Sequence, residues 1–474
     1  MPLPFSFTEL RLMNQDMPWI VLFFVLCGLW LLVLVSTFSL ANTNILVDDQ
    51  YDLSVISGIF VGISMTYYGS SIFIFSAFLV VFKKVEKHQA QAIQRYARSF
   101  PGNRGPLRSM QLVSIIIPAR NEEGVIKRTI SSCLAQTYQN IEVLVICHNS
   151  SDNTFKESKG IQDPRVAAIE LTTKEAGKGI ALNHGVEKSK GQYILVVDAD
   201  GILATNFIET TIPLFQNGAK PGKRQMVAAV QGRFVSSNRN YNTLTRMLSL
   251  EDELWSVPYM SIRSFFGKRC PIGGTGFMVD KDILNLVEGF TNSLVDDYEL
   301  TFRLLKNYQI LYAPLSRVYD EKPPKLDIML RQRARWLKGF FDLLNRRIAQ
   351  PGDLLGNLYW LSPIGVLCGM GILLIPSYAA IHNMLFDYLP YRYAYLPLDL
   401  WFILTGISVV LQVGVLMKAG SPFSRVVSLP LYMLFSQYLI TVALKSFFVK
   451  SWGNTKTIHG FVTDTDLECV YNRR

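Results

Sequence analysis

Charged residues are scarce in this 474-residue chain, and that scarcity limits what kind of protein it can be. Only 18% of the residues are Asp, Glu, Lys or Arg, whereas 49% are hydrophobic, and the hydrophobic residues are bunched into runs. An ordinary soluble domain has about 25% charged residues. The composition therefore excludes an ordinary soluble enzyme and indicates membrane-spanning segments.

Paired cysteines are also missing. The chain has six cysteines, and no two of them form a CxxC motif. Most of them fall in apolar segments or in segments expected to face the cytosol, so a paired-cysteine redox or metal motif is not indicated. We expect the thiols to be reduced and structural.

Two long runs near the N-terminus lack any charge. Trp19–Ala41 and Val55–Phe82 each exceed the roughly 20 residues that cross a bilayer core, and the first begins too far along the chain for a cleaved signal peptide. The loop between them, Asn42–Ser54, has three Asp residues but no Lys or Arg, whereas lysines follow the second run from Lys83 onward. This asymmetry predicts that the loop lies outside and that the following residues are cytosolic.

The net charge of +10 could indicate a nucleic-acid partner. The basic residues, however, cluster at the ends of the apolar runs and in Arg331–Arg347. Anionic lipid and an anionic donor are simpler partners for such clusters. We therefore predict contact with membrane lipid and no nucleic-acid binding.

Short β-branched runs alternate with helical patterns after residue 110. Strands that alternate with helices imply an α/β fold with a mostly parallel, doubly wound sheet, whose ligands lie at the carboxyl ends of the strands. The predicted strands are Leu112–Pro118, Ile141–Cys147, Val166–Leu171 and Tyr193–Val197, and the predicted helices are Glu123–Ala135 and Ala176–Lys188.

Two later stretches, Met247–Phe266 and Ile328–Leu344, could be interfacial helices. In the second, aromatic and aliphatic residues alternate with basic ones, as in a helix that lies in the headgroup plane. A basic amphipathic helix packed on the surface of the domain is the alternative.

Three more apolar runs follow, at Asn357–Ile381, Leu398–Met417 and Val427–Val449. Three full crossings from the cytosol would leave the tail outside, yet the basic residues of that tail favour the inside. Pro363 and Pro376 make the first of these runs the candidate for a broken or re-entrant segment.

These patterns divide the chain into five predicted regions. They are an N-terminal region with two transmembrane helices at 1–96, a linker at 97–110, a cytosolic catalytic domain with interfacial helices at 111–350, a C-terminal transmembrane region at 351–449 and a tail at 450–474.

Two acidic residues one position apart follow a predicted strand in the sequence VDADG. Asp198 and Asp200 can bind one hard divalent cation that also holds a diphosphate, and this pair is the strongest single indication of chemistry in the chain. The alternative is a strand-ending acidic turn, because a DxD pair alone is common.

Further motifs surround this pair in a fixed order. They are PARNEE at 118–123, Ser151–Thr154, Lys174–Asn183, GGTG at 273–276, VDDYEL at 295–300 and QRARW at 332–336. The set resembles the inverting family 2 glycosyltransferases, and specifically their membrane-bound processive branch, which includes cellulose, hyaluronan, chitin and poly-N-acetylglucosamine synthases. The resemblance covers about Val113–Leu343. It implies a GT-A-like nucleotide-diphospho-sugar transferase domain joined to an α-helical transmembrane region, a UDP-sugar donor, and Mg²⁺ or Mn²⁺ at Asp198 and Asp200.

The resemblance also implies a donor site. The family usually has Asp where His148 and Asn149 stand here, although Asn149 can still hydrogen-bond a pyrimidine. A helix N-terminus with acidic partners is the alternative for PARNEE, and a solvated lysine is the alternative for Lys178. The implied donor-binding residues are Ala119, Arg120, Glu122, Asn149, Asp152, Lys178 and Asp198.

The catalytic and acceptor residues follow from the later motifs. Asp297 is the implied general base, and we expect its neighbour Asp296 to face elsewhere because adjacent residues rarely share a direction. An acidic helix cap is the alternative for this pair. Arg335 is implied to stabilise the departing UDP, and the implied acceptor residues are Gly273, Gly274, Thr275, Gln332 and Trp336. The alternatives are an ordinary turn for the glycines and a membrane-interface anchor for Trp336.

The tail contains WGNTKTIHG at 452–460. It is similar to the gating loops that fold over the donor pocket in this branch, which implies that Trp452 and His459 contact the donor and that the tail is cytosolic. A disordered tail is the alternative.

The sequence thus predicts a multi-pass integral protein of the plasma membrane with a cytosolic catalytic domain. We expect inverting transfer from a UDP-sugar to a glycan or lipid acceptor, in processive synthesis of a β-linked polysaccharide coupled to its translocation. Non-processive transfer to a membrane lipid is the alternative. A transporter is disfavoured because the apolar runs have few charges. Protein partners cannot be read from the sequence.

Overall fold

The computed structural model describes residues 51–98, 111–216, 226–345, 398–421, 423–435 and short pieces between 441 and 449. The chain forms two compact units, one made of Met1–Ser76 and Leu361–Gln412 and the other of Ala77–Trp360 and Val413–Arg474. The second unit contains the sheet and the candidate site. The five predicted sequence regions stay predictions.

The described elements follow the chain in this order. The helices are α1 (Tyr51–Arg98), α2 (Ile126–Leu134), α3 (Thr154–Lys159), α4 (Lys178–Lys188), α5 (Phe207–Thr211), α6 (Pro213–Gln216), α7 (Thr243–Glu251), α8 (Val257–Gly267), α9 (Lys281–Leu286), α10 (Asp296–Leu304), α11 (Leu326–Asn345), α12 (Leu398–Lys418) and α13 (Leu429–Phe435). A π-helical segment, Asp252–Ser256, joins α7 to α8, and a 3₁₀ turn, Phe423–Ser428, precedes α13. The strands are β1 (Val113–Ala119), β2 (Ile141–His148), β3 (Val166–Leu171), β4 (Tyr193–Val196), β5 (Ile202–Leu203), β6 (Val227–Ser236), β7 (Phe277–Asp280) and β8 (Gln309–Asp320).

The eight strands form one sheet in the order β3-β2-β1-β4-β7-β6-β8-β5. The pairs among β1, β2, β3 and β4 are parallel, as is β6 with β8. The remaining pairs, β4 with β7, β6 with β7, and β5 with β8, are antiparallel. The sheet is therefore mixed, and the prediction of a mostly parallel sheet describes only its first half. The fold is the GT-A-like α/β type that was expected.

Both faces of the sheet are covered. Ile115 and Ile117 of β1 pack into one apolar cluster, and Ile116 between them packs into the other. This alternation explains why β1 is a continuous β-branched run, since a strand buried on both faces has no polar side. A Cβ on Gly185 of α4 would lie 2.6 Å from Ile116 Cγ2, so this glycine lets α4 pack closely on the sheet.

The C-terminal part of α1 packs on the catalytic domain. Gln89 is fully buried, and its amide donates to Thr210 O and Ser316 Oγ, both at 3.0 Å. Its carbonyl accepts from Leu315 N at 2.9 Å. This polar anchor was not predicted, because its partners lie more than a hundred residues away along the chain.

Two of the predicted spans fall within helices of the structure. Val55–Phe82 lies in α1, and Leu398–Met417 lies in α12. In the described part of the chain, no helix is long and apolar enough to cross a membrane. The runs Trp19–Ala41 and Asn357–Ile381 lie outside the described residues, so the transmembrane region stays a prediction.

Candidate active site

A cavity of about 560 Å³ opens at the carboxyl ends of β1 and β4, where the predicted motifs meet. On the predicted donor side, it is lined by Ala119, Arg120, Glu122, Lys178 and Asp198, together with Asp200. On the opposite side, it is lined by Gly273, Gly274, Asp297, Gln332, Arg335 and Trp336. Segments more than two hundred residues apart in sequence therefore contribute to one site.

Lys178 connects the two sides of the cavity. Its Nζ donates to Asp198 Oδ1 at 2.5 Å and to the carbonyl of Gly274 at 2.9 Å. Burial alone would lower the pKa of Lys178, but the carboxylates of Asp198, Asp296 and Asp297 raise it. Lys178 is thus held as a cation beside the carboxylates, rather than being a merely solvated lysine.

The GGTG segment is fitted closely against these charges. Gly274 has a φ of +82°, and a Cβ there would lie 3.1 Å from Asp297 Oδ2. Thr275 lies behind the cavity wall, where its Oγ1 accepts from the backbone N–H of Asp198 at 2.9 Å. Thr275 therefore orients Asp198 in this structure and does not line the cavity with the other predicted acceptor residues.

Buried Gln231 of β6 holds the same segment in place. Its amide nitrogen donates to the carbonyls of Thr275 and Gly276 at 3.0 and 3.1 Å, and its Oε1 accepts from Gly273 N at 2.9 Å. This residue was not predicted. A glutamine directly after the apolar run Val227–Val230 was the available indication, because an amide buried in such a strand needs hydrogen-bond partners.

Asp296 and Asp297 both line the cavity. The expectation that Asp296 faces elsewhere is therefore wrong. The cavity is lined by the successive residues Leu294 to Asp297, so it follows the chain into the start of α10 instead of meeting a single face of the helix. Burial, and then the neighbouring Asp296, raise the pKa of Asp297 from 3.8 to about 7. Burial also raises the pKa of Asp296, and Lys178 opposes that rise.

Helix α11 presents Gln332, Arg335 and Trp336 to the cavity, as their three- and four-residue spacing predicted. Arg335 Nη1 donates to the carbonyl of Leu294 at 2.7 Å. Burial lowers the pKa of Arg335, while Asp297 and Asp296 act to raise it. Its guanidinium therefore lies in the same electrostatic environment as the acidic pair.

The PARNEE turn is supported by side chains of the segment that follows β2. Glu122 N donates to Thr154 Oγ1 at 2.8 Å, and Glu123 N donates to Asp152 Oδ2 at 3.1 Å. Partial burial would raise the pKa of Asp152, but its hydrogen bonds from Thr154 and Glu123 lower it. Asp152 thus supports the turn rather than lining the cavity.

Asn149 also lies outside the cavity lining. It has a φ of +51°, and its amide makes two 3.0 Å hydrogen bonds with the backbone of Thr173. His148, which stands where the family usually has Asp, lines the cavity instead, with Nε2 at 2.6 Å from Thr173 Oγ1. Burial lowers the pKa of His148, so a neutral imidazole is favoured there.

The glycines of AGKG permit a close backbone contact beside Lys178. A Cβ on Gly179 would lie 2.2 Å from the carbonyl oxygen of Thr291, and one on Gly177 would overlap Asn292. Asn183 holds the same loop through Phe290. Its Oδ1 accepts a hydrogen bond from Phe290 N, and its Nδ2 donates to the carbonyl of Phe290. The glycines on either side of Lys178 could have indicated a close backbone approach, but not that Thr291 is the partner.

Asp198 and Asp200 fit one divalent cation by their chemistry, since both line the cavity and offer hard carboxylate oxygens. Among the residues that the structure describes, no group of three or more His, Cys, Asp and Glu is placed to hold a metal. A cation held by these two carboxylates would take its remaining ligands from water or from a bound diphosphate. Trp452 and His459 lie outside the described residues, so the predicted gating tail stays a prediction.

A family model described as "Glycosyltransferase like family 2" matches residues 110–339. A probable glycosyltransferase, YdaM, of Bacillus subtilis is 27% identical over 377 residues, which cover 75% of this chain and 86% of that protein. The β-monoglucosyldiacylglycerol synthase of Trichormus variabilis is 30% identical over 240 residues, and these cover 49% of each chain.

The poly-β-1,6-N-acetyl-D-glucosamine synthase of Staphylococcus aureus is 25% identical over 243 residues, which cover 49% of this chain and 56% of that protein. The matches to the two synthases thus span only about half of their length. The match of the family model coincides with the sheet and with every element that lines the cavity. Residues 110–339 therefore form a family 2 glycosyltransferase domain, and the protein is a glycosyltransferase.

Proposed function

We propose that this protein transfers the sugar of a UDP-sugar, with inversion, to an acceptor hydroxyl held beside Asp297. One observation carries the proposal. One cavity brings Asp297 together with Lys178, Arg335, Asp198 and Asp200, and burial in it raises the pKa of Asp297 to about 7. A general base works best when its pKa lies near the working pH, and a carboxylate usually reaches that range only through burial and a like charge.

The residues divide the chemistry between them. Asp297 takes the proton of the acceptor hydroxyl as its oxygen attacks the anomeric carbon from the face opposite the diphosphate. Arg335 and Lys178 supply positive charge to the departing UDP, and this charge is most effective in a buried site. A Mg²⁺ or Mn²⁺ ion held by Asp198 and Asp200 would neutralise the diphosphate further.

The uridine end is assigned to the PARNEE turn. Ala119, Arg120 and Glu122 line the cavity there, next to His148. A neutral imidazole can donate or accept one hydrogen bond with a pyrimidine, so His148 suits a contact with the uracil base. The acceptor is assigned to Gln332 and Trp336, because an indole face suits the apolar face of a sugar ring.

We favour processive synthesis of a β-linked polysaccharide that the transmembrane region translocates. Trp336 in the cavity supports this choice, since an acceptor that ends in a sugar has a flat ring to stack on. The similarity to the poly-N-acetylglucosamine synthase is consistent with it. Transfer to a membrane lipid is the second candidate, and the 30% identity to a glucosyldiacylglycerol synthase favours it.

The proposal includes a multi-pass protein of the plasma membrane with its catalytic domain in the cytosol. Its support is the sequence, with uncharged runs flanked by lysines on one side and aspartates on the other. The tail would then be cytosolic, with Trp452 and His459 closing over the donor.

The test is to incubate the full-length protein in nanodiscs with single UDP-sugars, with and without diacylglycerol, and to size the product. We expect one UDP-sugar to give a long, glycosidase-sensitive polymer. A product of one sugar on diacylglycerol would support the second candidate. Absence of UDP release with every common UDP-sugar would contradict the choice of donor.

A further inference from the structure

We propose that Glu251 and Arg333 are positioning residues that hold the indole of Trp336 in place for the acceptor sugar. This inference rests on the proposed function, because it needs Trp336 to stack on an acceptor. Neither Glu251 nor Arg333 lines the cavity. Both residues act through the indole of Trp336, which does line the cavity.

The contact between Arg333 and Trp336 is direct. Both residues belong to α11, three positions apart and so on neighbouring faces of the helix. The guanidinium carbon of Arg333 lies 4.6 Å from the centroid of the indole ring. A cation at this distance is attracted to the ring face, and the attraction grows when the pair is removed from water. Arg333 therefore occupies one side of the indole.

Glu251 fixes Arg333 from another helix. Glu251 is the last residue of α7, and its Oε1 lies 3.0 Å from Arg333 Nη1. The Arg333 and Glu251 side chains are only 9% and 5% exposed, so water screens the pair weakly. The planar guanidinium can bind a carboxylate and stack on an aromatic ring together. Glu251 therefore anchors Arg333 to α7, and Arg333 in turn restrains the indole.

Trp336 is also held from the base side. Its ring packs on the cluster of Val295, Phe302 and Leu343, and Val295 directly precedes the acidic pair. The indole therefore contacts both Arg333 and the segment that leads into the acidic pair. A ring held in this way can keep an acceptor in register with Asp297, and its own side chain needs no further ordering when the acceptor binds.

The chain contains a matched control for this pair. Glu253 is two residues further along, in the π-helical segment, and forms a similarly buried ion pair with Arg425 and a hydrogen bond with Ser421. None of these three residues lines the cavity. Glu251→Gln and Glu253→Gln therefore make the same chemical change in adjoining turns, and only the first reaches Trp336.

The readout is the fraction of consumed UDP-sugar that ends as free sugar rather than product. In hydrolysis, the water oxygen bonds to the anomeric carbon, the bond to the diphosphate breaks, and a water proton passes to Asp297. Free sugar therefore counts the turnovers in which no acceptor was in place, while UDP release counts all of them. The full-length protein in nanodiscs is supplied with the UDP-sugar that supports its turnover.

We expect Glu251→Gln and Arg333→Gln to raise the free-sugar fraction about threefold to tenfold, the range that one partly buried cation–π contact provides. Arg333→Lys keeps the ion pair and should give a smaller rise. Glu253→Gln should leave the fraction unchanged. Melting temperatures of all variants check that each protein is folded.

The outcomes separate the two proposals. If Trp336→Ala raises the free-sugar fraction but Glu251→Gln does not, the positioning role is wrong and the acceptor role of Trp336 stands. An equal rise in Glu251→Gln and Glu253→Gln means general loosening and also overturns the positioning role. If Trp336→Ala leaves the fraction unchanged, the acceptor assignment itself fails, and the positioning role fails with it.

Discussion

Replacing Asp297 with Asn tests the proposed base most directly. The change removes the carboxylate but keeps the shape of the side chain and an oxygen that can accept the 2.8 Å hydrogen bond from Tyr298 N. Loss of a general base costs on the order of a hundredfold to ten-thousandfold in rate. UDP-sugar binding should change little, because Lys178 and Asp198 remain.

The pH dependence gives a second measure of the same residue. Asp297 must be ionised to act, and its pKa is raised to about 7, so kcat/KM of the wild type should rise with pH and level off above about pH 7. In Asp296→Asn, the second-largest cause of the rise is removed while Lys178 and Arg335 still lower the pKa. The acid limb should then move down by about one pH unit.

The raised pKa also has a consequence for stability. Between pH 4 and 7, the folded protein keeps a proton that an unfolded Asp has lost, so stability falls as pH rises through this range. The rise from 3.8 to about 7 corresponds to at most about 4 kcal/mol. Asp297→Asn carries no charge and should therefore melt above the wild type at pH 8, while the two should melt alike near pH 4.

The measurements are UDP release across pH, calorimetric binding of UDP, and thermal melts at the two pH values. The reasoning is refuted if Asp297→Asn keeps more than about a tenth of wild-type turnover, since removal of a general base typically costs at least about a hundredfold. It is also refuted if Asp296→Asn is the more damaging variant. A melting temperature below that of the wild type at pH 8 would mean that the Asp297 charge stabilises the fold.

Three further changes test the metal, the loop and the tail. EDTA should abolish turnover, and Asp200→Ala should lower it by at least about tenfold. Near-normal turnover and metal dependence in Asp200→Ala would contradict the assignment of Asp198 and Asp200 as cation ligands. Gly179→Ala should destabilise the domain by about 1–3 kcal/mol in thermal melts, because its Cβ would lie 2.2 Å from Thr291 O; an unchanged melt would contradict this close contact. Truncation after Ser451 should depress turnover far more than protein yield, and a cysteine label near residue 470 that reacts only from the outer face would exclude the lid.

Three strands of the first half of the sheet, β1, β2 and β4, were predictable as apolar runs because they are buried on both faces. Val166–Leu171 has the predicted bounds, and β1 differs from its prediction by one residue at each end. The helix predicted from Glu123 begins only at Ile126, because the N–H groups of Glu123 and Gly124 donate to Asp152, which precedes α3, and to Glu157 within α3. Such long-range capping has no local pattern.

The second half of the sheet was not predicted as strands. β7 has four residues, too few to show a period, and β6 includes Gln231 and Gly232 within its apolar run. Gly232 is needed because a Cβ there would lie 2.5 Å from the ring of Phe207. Pairing through such tertiary contacts overrides local strand propensity.

The candidate residues could be named from motifs, but their environment could not. Sequence spacing placed Gln332, Arg335 and Trp336 on one helix face, where the structure has them. It did not place Asp296 in the cavity, nor Arg333 against the back of Trp336. Both features depend on which segments from elsewhere in the chain surround a helix turn.

The charges that line the cavity explain why the proposed cation and the raised pKa of Asp297 suit the same site. Its acidic residues are Glu122, Asp198, Asp200, Asp296 and Asp297, and its basic residues are Arg120, Lys178 and Arg335. A diphosphate would add negative charge to a buried site that is already acidic, which is costly without compensation. A divalent cation held by Asp198 and Asp200 would offset the charge of the diphosphate, and a proton held by the Asp296–Asp297 pair would lower the remaining negative charge of the cavity.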